Sequence, residues 1–575
     1  MSWNSLKWIK LRVLCISAGF IFFLGLILFR SYELHISENA RVGRLAQKQY
    51  HGLVPLNPKR GAVYDRNGQA LALDIQVVSV AVQPGKIIDA EAAVGALTAA
   101  TSVPAEKIWP KIEGGKKFEW IARRIPAETG EKLAKQKIPG IIVSPEYRRY
   151  YPNKEVAGNL LGAVGYDAKA LGGVELALDS FLKSSPGSVM AEKDARGRFY
   201  TPMENQEVYH DVTLTLDLNI QFMAEKYLWE AASKYKVKSG FAMVMAPDTG
   251  EILAMANYPA LNPNAYWKYP QDTWKNHAAI DTFEPGSIFK PVLAAAALAS
   301  GKIKSTDVFN CENGAYAIGK RVIHDAHPHG RLTLSEIIQF SSNIGITKVA
   351  QKVGKIPFYD FMIDLGIGQS TGLFLPGEAR GSLSPAQKWS DIEQSNISFG
   401  QGLAVSGLQM MQVYGAFANK GLRMKPYLVS KIESSTGGVV FENQPTPMGQ
   451  VMKESVSSEL TEMLNLVVDA EGTGTLAKIE GYPVAGKTGT AQKVNPETKA
   501  YDPHDFVSSF IGYVPASLPK YVIFVAYDSP RGAHYGGVVA APVFRNIARE
   551  ALAYAGVPPA VPQFAKALAG GLKEE

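Results

Sequence analysis

Ser287 and Lys290 stand three residues apart at the start of an apolar stretch, "FEPGSIFKPVLAAAALASG" (283–301). The Pro-Gly pair before the serine predicts a turn, and the run of small apolar residues after it predicts a helix that Gly301 ends. Three residues are just under one helical turn, so both side chains lie on one face of that helix. A buried lysine is costly unless something uses it, which makes its position informative.

The chemistry that this pair favours is nucleophilic acyl transfer. A serine hydroxyl is a poor nucleophile until a neighbouring base takes its proton, and a neutral lysine is such a base. Burial and nearby cations lower the pKa of a lysine because they disfavour its charged form. The start of the helix also presents free backbone N–H groups to an oxyanion that forms beside Ser287. A two-residue motif is weak by itself, so the prediction depends on the rest of the chain.

A second group of polar residues, Ser341-Ser342-Asn343, lies in "IIQFSSNIG" within a segment predicted to be helical over 332–354. A hydroxyl here suits proton relay, and an amide suits hydrogen bonding to a substrate. The alternative is ordinary, because Ser and Asn inside a helix often only cap or end it.

A third group, Lys487-Thr488-Gly489-Thr490, lies in "VAGKTGTAQK" and predicts an edge strand that lines a groove. A lysine there can anchor a substrate carboxylate, and a glycine lets a chain approach closely. Thr490 can offer its N–H group as a second oxyanion donor. The segment is not a phosphate-binding loop, because the G-x-x-x-x-G spacing before the lysine is missing.

The elements that must position these groups follow a clear order after about residue 211. A strand (212–217), a helix (219–235) and a hairpin (239–259) precede three helices (332–354, 407–421 and 457–470), three strands (482–494, 506–515 and 521–530) and a last helix (541–556). This order predicts an α+β domain, in which both ends of the segment build one antiparallel sheet and helices are inserted between them. Residues 31–205 are predicted to be irregular and rich in short strands, such as 77–84 and 139–145.

The N-terminus contains "VLCISAGFIFFLGLILF" (13–29), which is 17 residues without a charge and near the lower limit for crossing a bilayer. Lys7, Lys10 and Arg12 precede it, a bias that places the N-terminus in the cytoplasm and the rest of the chain outside. A cleaved signal peptide is the alternative, but no small-x-small cleavage site follows in "RSYELHISENA". The pattern favours an uncleaved single-pass anchor.

Composition sets broad limits on the class of protein. A chain of 575 residues predicts two or three domains, and 46% hydrophobic with 20% charged residues is typical of a globular chain. The net charge of +7 is spread without a basic run, so no nucleic-acid partner is inferred. The two cysteines, Cys15 in the apolar segment and Cys311, do not predict a disulfide framework.

Three histidines in "HDAHPHG" (324–330) raise the question of a metal site. Pro328 and Gly330 make this segment a loop, and no pair at helical i, i+4 spacing is present. We therefore expect His324, His327 and His329 to border the site, without metal or cofactor.

Together, in this order and spacing, the three groups resemble the motif set of serine-active penicillin-recognising enzymes, with Ser-Ser-Asn in place of Ser-Asp-Asn. That variant is typical of class B penicillin-binding proteins, and the stretch around Ser287 is most similar to their septal, cell-division branch. The resemblance covers the chain from the anchor to about residue 556. It includes the pedestal-like stretches "RGAVYDRNGQALA", "RRYYP" and "GNLLGAVGYDAKALGGVELALDSFL" and the transpeptidase-like stretches "LPGEARGSL", "SFGQGLAVSGLQ" and "AAPVF".

The resemblance implies four parts. They are a cytoplasmic tip with a transmembrane helix (1–30), an elongated, strand-rich, non-catalytic pedestal of the dimerisation type (31–210), a transpeptidase domain with an antiparallel sheet flanked by helices (211–556) and a flexible tail (557–575). The location implied is the cytoplasmic (inner) membrane, with the catalytic domain on the extracytoplasmic or periplasmic side.

The resemblance also implies roles for the motif residues. Ser287 would attack the penultimate D-Ala carbonyl of a stem peptide, with Lys290 as base and Ser341 relaying a proton to the leaving D-Ala. The acyl-enzyme would pass to an amine on a neighbouring strand, and β-lactams would trap the same serine. Substrate binding is expected from Asn343 at the peptide amide, Lys487 and Thr488 at the carboxylate, Gly489 within the strand, and the N–H groups of Ser287 and Thr490 at the oxyanion.

No glycosyltransferase domain fits before the pedestal, so glycan polymerisation is expected from a membrane-embedded lipid-II polymerase among other division proteins. The alternatives are an elongation or sporulation class B transpeptidase and a non-catalytic division scaffold with the same fold. A class A β-lactamase would need a deacylating glutamate, but Glu378 lies in "PGEARG", which resembles a structural loop. Arg60 and Glu175 of the pedestal are either part of a docking surface or purely structural.

Overall fold

The computed structural model describes residues 3–33, 51–55, 59–183, 188–192, 208–495, 497–498 and 500–560. The first part of the chain contains, in order, α1 Trp3–Tyr32, β1 His51–Pro55, β2 Val63–Tyr64, β3 Ala70–Val82, α2 Ala90–Thr101, α3 Ala105–Glu113, β4 Glu119–Pro126, α4 Ala127–Lys135, β5 Ile141–Tyr150, α5 Gly158–Leu161, α6 Gly173–Ala177, α7 Asp179–Leu182, β6 Ser188–Glu192 and β7 His210–Leu214.

The second part contains α8 Leu218–Lys234, β8 Ser239–Met245, β9 Ile252–Tyr258, α9 His277–Ile280, β10 Thr282–Phe283, α10 Lys290–Ala299, β11 Val308–Asn310, β12 Ala315–Ile318, β13 Arg321–His324, β14 Arg331–Thr333, α11 Leu334–Phe340, α12 Asn343–Val353, α13 Lys355–Asp364, α14 Asp391–Ser398, β15 Val405–Ser406, α15 Gly407–Ala418, β16 Leu422–Met424, β17 Val429–Ser434, β18 Val439–Glu442, β19 Pro447–Gln450, α16 Glu454–Leu466, β20 Ala485–Val494, β21 Tyr501–Val514, β22 Tyr521–Asp528, α17 Gly536–Val539 and α18 Ala541–Tyr554.

The chain divides into two units. One contains α1 and the antiparallel pair β1–β6, and the other contains the described parts of 59–184 and 208–575. Within α1, the span Lys7–Tyr32 includes an 18-residue window with a mean hydropathy of 2.4 and is long and apolar enough to cross a membrane, by length and composition. The predicted apolar helix is therefore confirmed.

A five-stranded antiparallel sheet with the order β20-β21-β22-β8-β9 lies at the centre of the region from residue 211 to 556. It is built from both ends of that region, as the sequence predicted, and β20 forms one edge. Strand β22 is apolar throughout because both faces of the sheet are covered. Its alternate residues enter two separate cores, one with Val522, Phe524 and Ala526 and the other with Ile523, Val525 and Tyr527.

Helices cover both faces of this sheet. Helices α8 and α18 contribute to the core on one face, whereas α10, α15 and α16 contribute to the core on the other. The small side chains of "VLAAAALA" let α10 pack closely among its neighbours, and residues 292–295 and 297 are fully buried. The Ser287 motif is therefore fixed at the N-terminal end of a helix that cannot easily shift.

The pedestal contains a seven-stranded sheet with the order β18-β17-β7-β2-β3-β4, in which β5 also pairs with β3. Strands β17 and β18 come from residues 429–442, far along the chain, and the sequence did not indicate that they join this sheet. The predicted boundary between residues 210 and 211 falls inside β7, which pairs with β2 and with β17. Helices α2, α3 and α4 also show regular structure where residues 31–205 were expected to be irregular and rich in short strands.

Arg60 and Glu175 lie in a buried ion network of the pedestal. Arg60 is 2% exposed and Glu175 is fully buried. Arg60 Nε donates to Glu175 Oε2 at 3.0 Å, and Arg149 Nε donates to Glu175 Oε1 at 2.6 Å. Arg149 also pairs with Asp74 at 3.2 Å. Because buried side chains cannot meet a partner, the docking alternative for Arg60 and Glu175 is wrong, and these residues are structural.

The C-terminal end of the described chain is hydrogen-bonded. Ala560 N donates to Gly481 O at 2.7 Å, and the Tyr482 hydroxyl donates to Val557 O at 2.7 Å. The first residues of the predicted flexible tail are therefore held against the domain. The rest of that tail, 561–575, lies outside the described residues.

Candidate active site

Ser287 lies in a single 3₁₀ turn, Gly286–Phe289, that leads directly into α10. Gly286 has φ +55°, a conformation that glycine adopts without strain. Its N–H group donates to Gly400 O at 3.0 Å, and the buried Tyr414 hydroxyl donates to Ile288 O at 2.9 Å. The turn that carries the serine is thus held from two sides.

Lys290 is fully buried at the start of α10. Its Nζ donates to the backbone oxygen of Ser341 and, at 3.0 Å, to Ser341 Oγ. Burial lowers the pKa of Lys290 to about 7, and the charge of Asp325 partly opposes this shift. A lysine with this pKa exists as the free base in a substantial fraction of molecules near neutral pH, as a general base requires.

The segment 332–354 is broken at the second motif, which corrects the prediction of one continuous helix. Helix α11 ends at Ser341, which has left-handed backbone angles (φ 61°, ψ 39°), and α12 begins with Ser342 as its N-cap. The break directs Ser341 toward Lys290. A non-glycine residue in this conformation is strained, and such strain often accompanies a functional site.

Asp325 holds the beginning of α12 in place. Its Oδ1 accepts hydrogen bonds from Asn343 N at 2.5 Å and Ile344 N at 3.0 Å, and its Oδ2 accepts one from Ser342 Oγ at 2.6 Å. A carboxylate at a helix N-terminus is stabilised by the free N–H groups and the helix dipole. The sequence pattern did not indicate a role for Asp325, although it stands in the loop 324–330 with the three histidines.

The neighbouring histidines have other roles. His329 stacks on Phe340 with ring centroids 5.1 Å apart, and His324 O accepts a hydrogen bond from Asn343 Nδ2 at 2.9 Å. His327 lies in the wall of the cavity that contains Ser287. Glu378 accepts hydrogen bonds from Thr371 and is not among the residues that line this cavity.

Lys487 is fully buried on edge strand β20 and, within the described residues, forms no ion pair. Burial, followed by the charge of Lys290, lowers its pKa well below the usual value. Its hydrogen bonds are long, at 3.4 Å to Thr488 O and 3.5 Å to Thr488 Oγ1. Thr488 Oγ1 is 2.8 Å from Thr473 Oγ1, and Thr490 Oγ1 accepts from Gly536 N at 3.1 Å.

Gly489 brings β20 against the turn that carries Ser287. A Cβ atom at this position would lie 2.3 Å from Ser509 Oγ and 2.9 Å from Ile288 Cγ2. The sequence predicted that a chain packs closely against this glycine. In the structure that chain is the protein's own Ser287 turn, so the strand with Lys487 lies beside the serine.

Ser287, Ser341, Asn343, Thr488 and Thr490 all line one cavity of about 680 Å³. Lys290 and Lys487 lie buried behind its wall, and Gly489 shapes it from within the strand. The remaining wall includes residues that the sequence did not indicate, among them Thr473, Phe506, His534 and Tyr535. Phe506 and His534 are stacked, with ring centroids 4.3 Å apart.

A serine at a helix start, a buried lysine with a lowered pKa and a second serine that contacts this lysine form the arrangement of a serine acyltransferase. Comparison with known proteins gives the same class. Residues 240–549 match the family of the penicillin binding protein transpeptidase domain, and residues 55–216 match the penicillin-binding protein dimerisation domain. The chain belongs to the class B penicillin-binding proteins, a family of peptidoglycan D,D-transpeptidases.

Relatives cover most of this chain. The peptidoglycan D,D-transpeptidase FtsI of Escherichia coli is 33% identical over 502 residues, which are 86% of this chain and 83% of the relative. Stage V sporulation protein D of Bacillus subtilis is 32% identical over 567 residues, 95% of this chain and 87% of the relative.

Among solved structures, the chain is similar to penicillin-binding protein 3 of Mycobacterium tuberculosis complexed with aztreonam. The TM-score is 0.68 and the identity 28%, over 88% of this chain and 98% of that one. A peptidoglycan synthetase of Bifidobacterium adolescentis gives a TM-score of 0.71 with 27% identity, over 88% and 97%.

Proposed function

We propose that the protein cross-links peptidoglycan stem peptides at the division septum through an acyl-enzyme on Ser287. The observation that carries this proposal is the buried Lys290, which has no ion pair among the described residues, lies one turn from Ser287 and contacts Ser341. Lys290 takes the proton of the Ser287 hydroxyl, which attacks the penultimate D-Ala carbonyl. Ser341 passes the proton to the leaving nitrogen, so that the terminal D-Ala departs as an amine.

The substrate is held between the two sides of the cavity. Asn343 donates to the peptide from the α12 side, and Lys487 with Thr488 binds the terminal carboxylate from the β20 side. A carboxylate beside Lys487 favours the protonated lysine and so offsets the burial that lowers the pKa of this residue. The N–H groups of Ser287 and Thr490 stabilise the oxyanion, and a β-lactam enters the same position.

Fluorescent penicillin labelling of the full-length protein tests this assignment. We expect stable covalent labelling at Ser287, located by peptide mass spectrometry, and none in Ser287→Ala. Ser517→Ala, which changes an exposed serine, is the matched control and is expected to label like the parent. An adduct on another residue would overturn the assignment, and a folded parent that does not label would favour the non-catalytic scaffold.

The division branch rests on the resemblance around Ser287 and on the FtsI relative. Since the sporulation relative is almost equally identical, an experiment must separate the branches. In cells depleted of the protein we expect filaments without septa, rescued by the parent and not by Ser287→Ala. Rounded cells would indicate elongation, and a defect restricted to spores would indicate sporulation.

The proposed location is the cytoplasmic membrane, with α1 as a single-pass anchor and the catalytic domain outside. Lys7, Lys10 and Arg12 support this orientation. Glycan strands are supplied by a membrane-embedded lipid-II polymerase within the division machinery. Protease added to spheroplasts is expected to digest the catalytic domain, and protection of that domain would reverse the orientation.

A further inference from the structure

A second cavity, of about 540 Å³, lies beside the turn that carries Ser287. The segment 280–284 forms one wall, and the ends of β8, β22 and β20 form the other. This second cavity shares Ala491 and Gln492 of β20 with the Ser287 cavity. Glu284 belongs to its wall and stands three residues before the serine, so the two cavities are neighbours along the same strand.

The wall of the second cavity carries more acidic than basic side chains. Asp281, Glu284 and Asp528 line it, and among the described residues Lys493 is its only Lys or Arg. The Lys493 charge is already matched, because its Nζ pairs with Asp528 at 2.6 Å and with Asp505 at 3.2 Å. An incoming anion therefore finds no available cation here, whereas an incoming cation finds carboxylates.

Glu284 is the least compensated of these carboxylates. Its oxygen atoms accept hydrogen bonds from Gly402 N at 2.8 Å and from the Tyr501 hydroxyl at 3.0 Å, and within the described residues it has no ion pair. Burial raises the pKa of Glu284, which reports a carboxylate that lacks a cationic neighbour. A positive charge placed beside it would relieve that cost.

His277 adds a second polar group to the wall. It is 8% exposed, and its Nδ1 lies 2.7 Å from Asp281 Oδ2, which fixes the ring. Its Nε2 has no hydrogen-bond partner among the described residues. If Nδ1 donates to Asp281, a neutral ring leaves Nε2 as an acceptor that a ligand N–H or O–H group can use.

We propose that the second cavity binds the acceptor peptide, whose primary amine receives the acyl group from Ser287. This proposal rests on the proposed function. Before it reacts, the acceptor carries an ammonium group, which suits the carboxylates of Asp281 and Glu284. Walls that include Phe241, Phe283 and Tyr527 cover its aliphatic part.

The transfer step balances without a further reactant. The free amine attacks the ester carbonyl, a C–N bond forms, and the bond from that carbon to Ser287 Oγ breaks. The proton that the amine loses passes through Lys290 to Ser287 Oγ, which returns to a hydroxyl. The ammonium form gives up its first proton to solvent before attack, since only the free base is nucleophilic.

The test separates the two half-reactions in the full-length protein. A D-alanyl thioester serves as donor, and a peptide that carries a diamino acid serves as acceptor. In Asp281→Asn and in Glu284→Gln we expect the acceptor concentration for half-maximal aminolysis to rise about tenfold, which corresponds to one lost charge contact of about 1.4 kcal/mol. The acylation rate by the donor should change far less, so the ratio of the two effects is the readout.

The controls make each result decisive. Glu462→Gln removes an exposed glutamate from α16 and is expected to change neither half-reaction. An unchanged acceptor dependence in both cavity variants would overturn the proposal, as would losses of acylation and aminolysis in equal proportion. If Glu284→Gln disturbs the turn that carries Ser287, the result for Asp281→Asn decides whether the proposal holds, because the Asp281 side chain lies outside that turn. Failure of the parent to acylate at all would instead refute the proposed function.

Discussion

Two regions of this molecule bury side chains that can carry a charge, and they differ in whether those side chains form ion pairs. In the pedestal, Arg60 and Arg149 meet Glu175, and Arg149 also meets Asp74, at 2.6 to 3.2 Å. Beside Ser287, Lys290 and Lys487 are equally buried but form no ion pair among the described residues. Burying an unpaired charge is expensive, so a lysine in this position releases its proton more easily.

The difference separates a structural role from a chemical one. In the pedestal, the ion pairs hold four chain segments, those of Arg60, Asp74, Arg149 and Glu175, to one another. Lys290 instead has a pKa of about 7 and can gain and lose a proton during a reaction. The contrast predicts that changes in the pedestal network reduce stability, whereas changes at the lysines reduce acylation.

The largest effect is expected from Lys290→Arg. A guanidinium cannot give up its proton near neutral pH, so the base is lost while the positive charge remains. We expect the penicillin acylation rate to fall by at least about a thousandfold, or about 4 kcal/mol in the barrier. Lys302→Arg, at an exposed position just after the same helix, is the control. A rate within about tenfold of the parent would exclude Lys290 as the base.

Glu175→Gln tests whether the buried ion network of the pedestal stabilises the fold. Removing one partner of a buried ion network leaves two arginines under-compensated, and we expect the free energy of unfolding to fall by about 3 kcal/mol. Chemical denaturation measures this loss, and penicillin labelling per folded molecule should stay unchanged. The exposed pair Glu128–Lys132 provides the control, since Glu128→Gln should change stability little. Lost labelling with intact stability would contradict a structural role.

Asp325→Asn is expected to give a smaller and more specific effect. The charge of Asp325 raises the pKa of Lys290, so its removal should move the inflection of acylation toward lower pH. The asparagine retains an oxygen for the N–H groups of α12, so the rate above the inflection should fall by no more than about tenfold. Acylation rates across pH measure this shift. An inflection that stays in place would remove Asp325 from the electrostatics of the site.

The strands of the central sheet could be predicted because β20, β21 and β22 are long and close in sequence, and because β22 and the second half of β21 are mostly apolar. The joining of β17 and β18 to the pedestal sheet could not, since strand pairing over hundreds of residues leaves no local pattern. The sequence left the role of Arg60 and Glu175 open, because their buried pairing depends on Arg149, from another strand. A local sequence pattern therefore does not reveal the role of a charged residue whose ion-pair partners come from distant parts of the chain.

The motif residues themselves were predictable because their chemistry is carried by residue type and spacing. The break at Ser341 was not, because a serine in the left-handed conformation has no sequence signature comparable to that of glycine. The role of Asp325 was also not predictable, because the N–H groups that it accepts hydrogen bonds from belong to α12, which begins eighteen residues later. The structure brings the motif residues together around one cavity, whereas the groups that position them had no signal in the sequence.

The pH dependence of penicillin acylation in the parent protein tests the central claim most directly. If neutral Lys290 activates Ser287, the second-order rate constant should rise with pH through an inflection near 7 and level off above it. The measurement requires only stopped-flow or gel-based labelling of the full-length protein between roughly pH 5.5 and 9. A rate constant that is flat across this range, or that falls as pH increases through 7, would contradict the account.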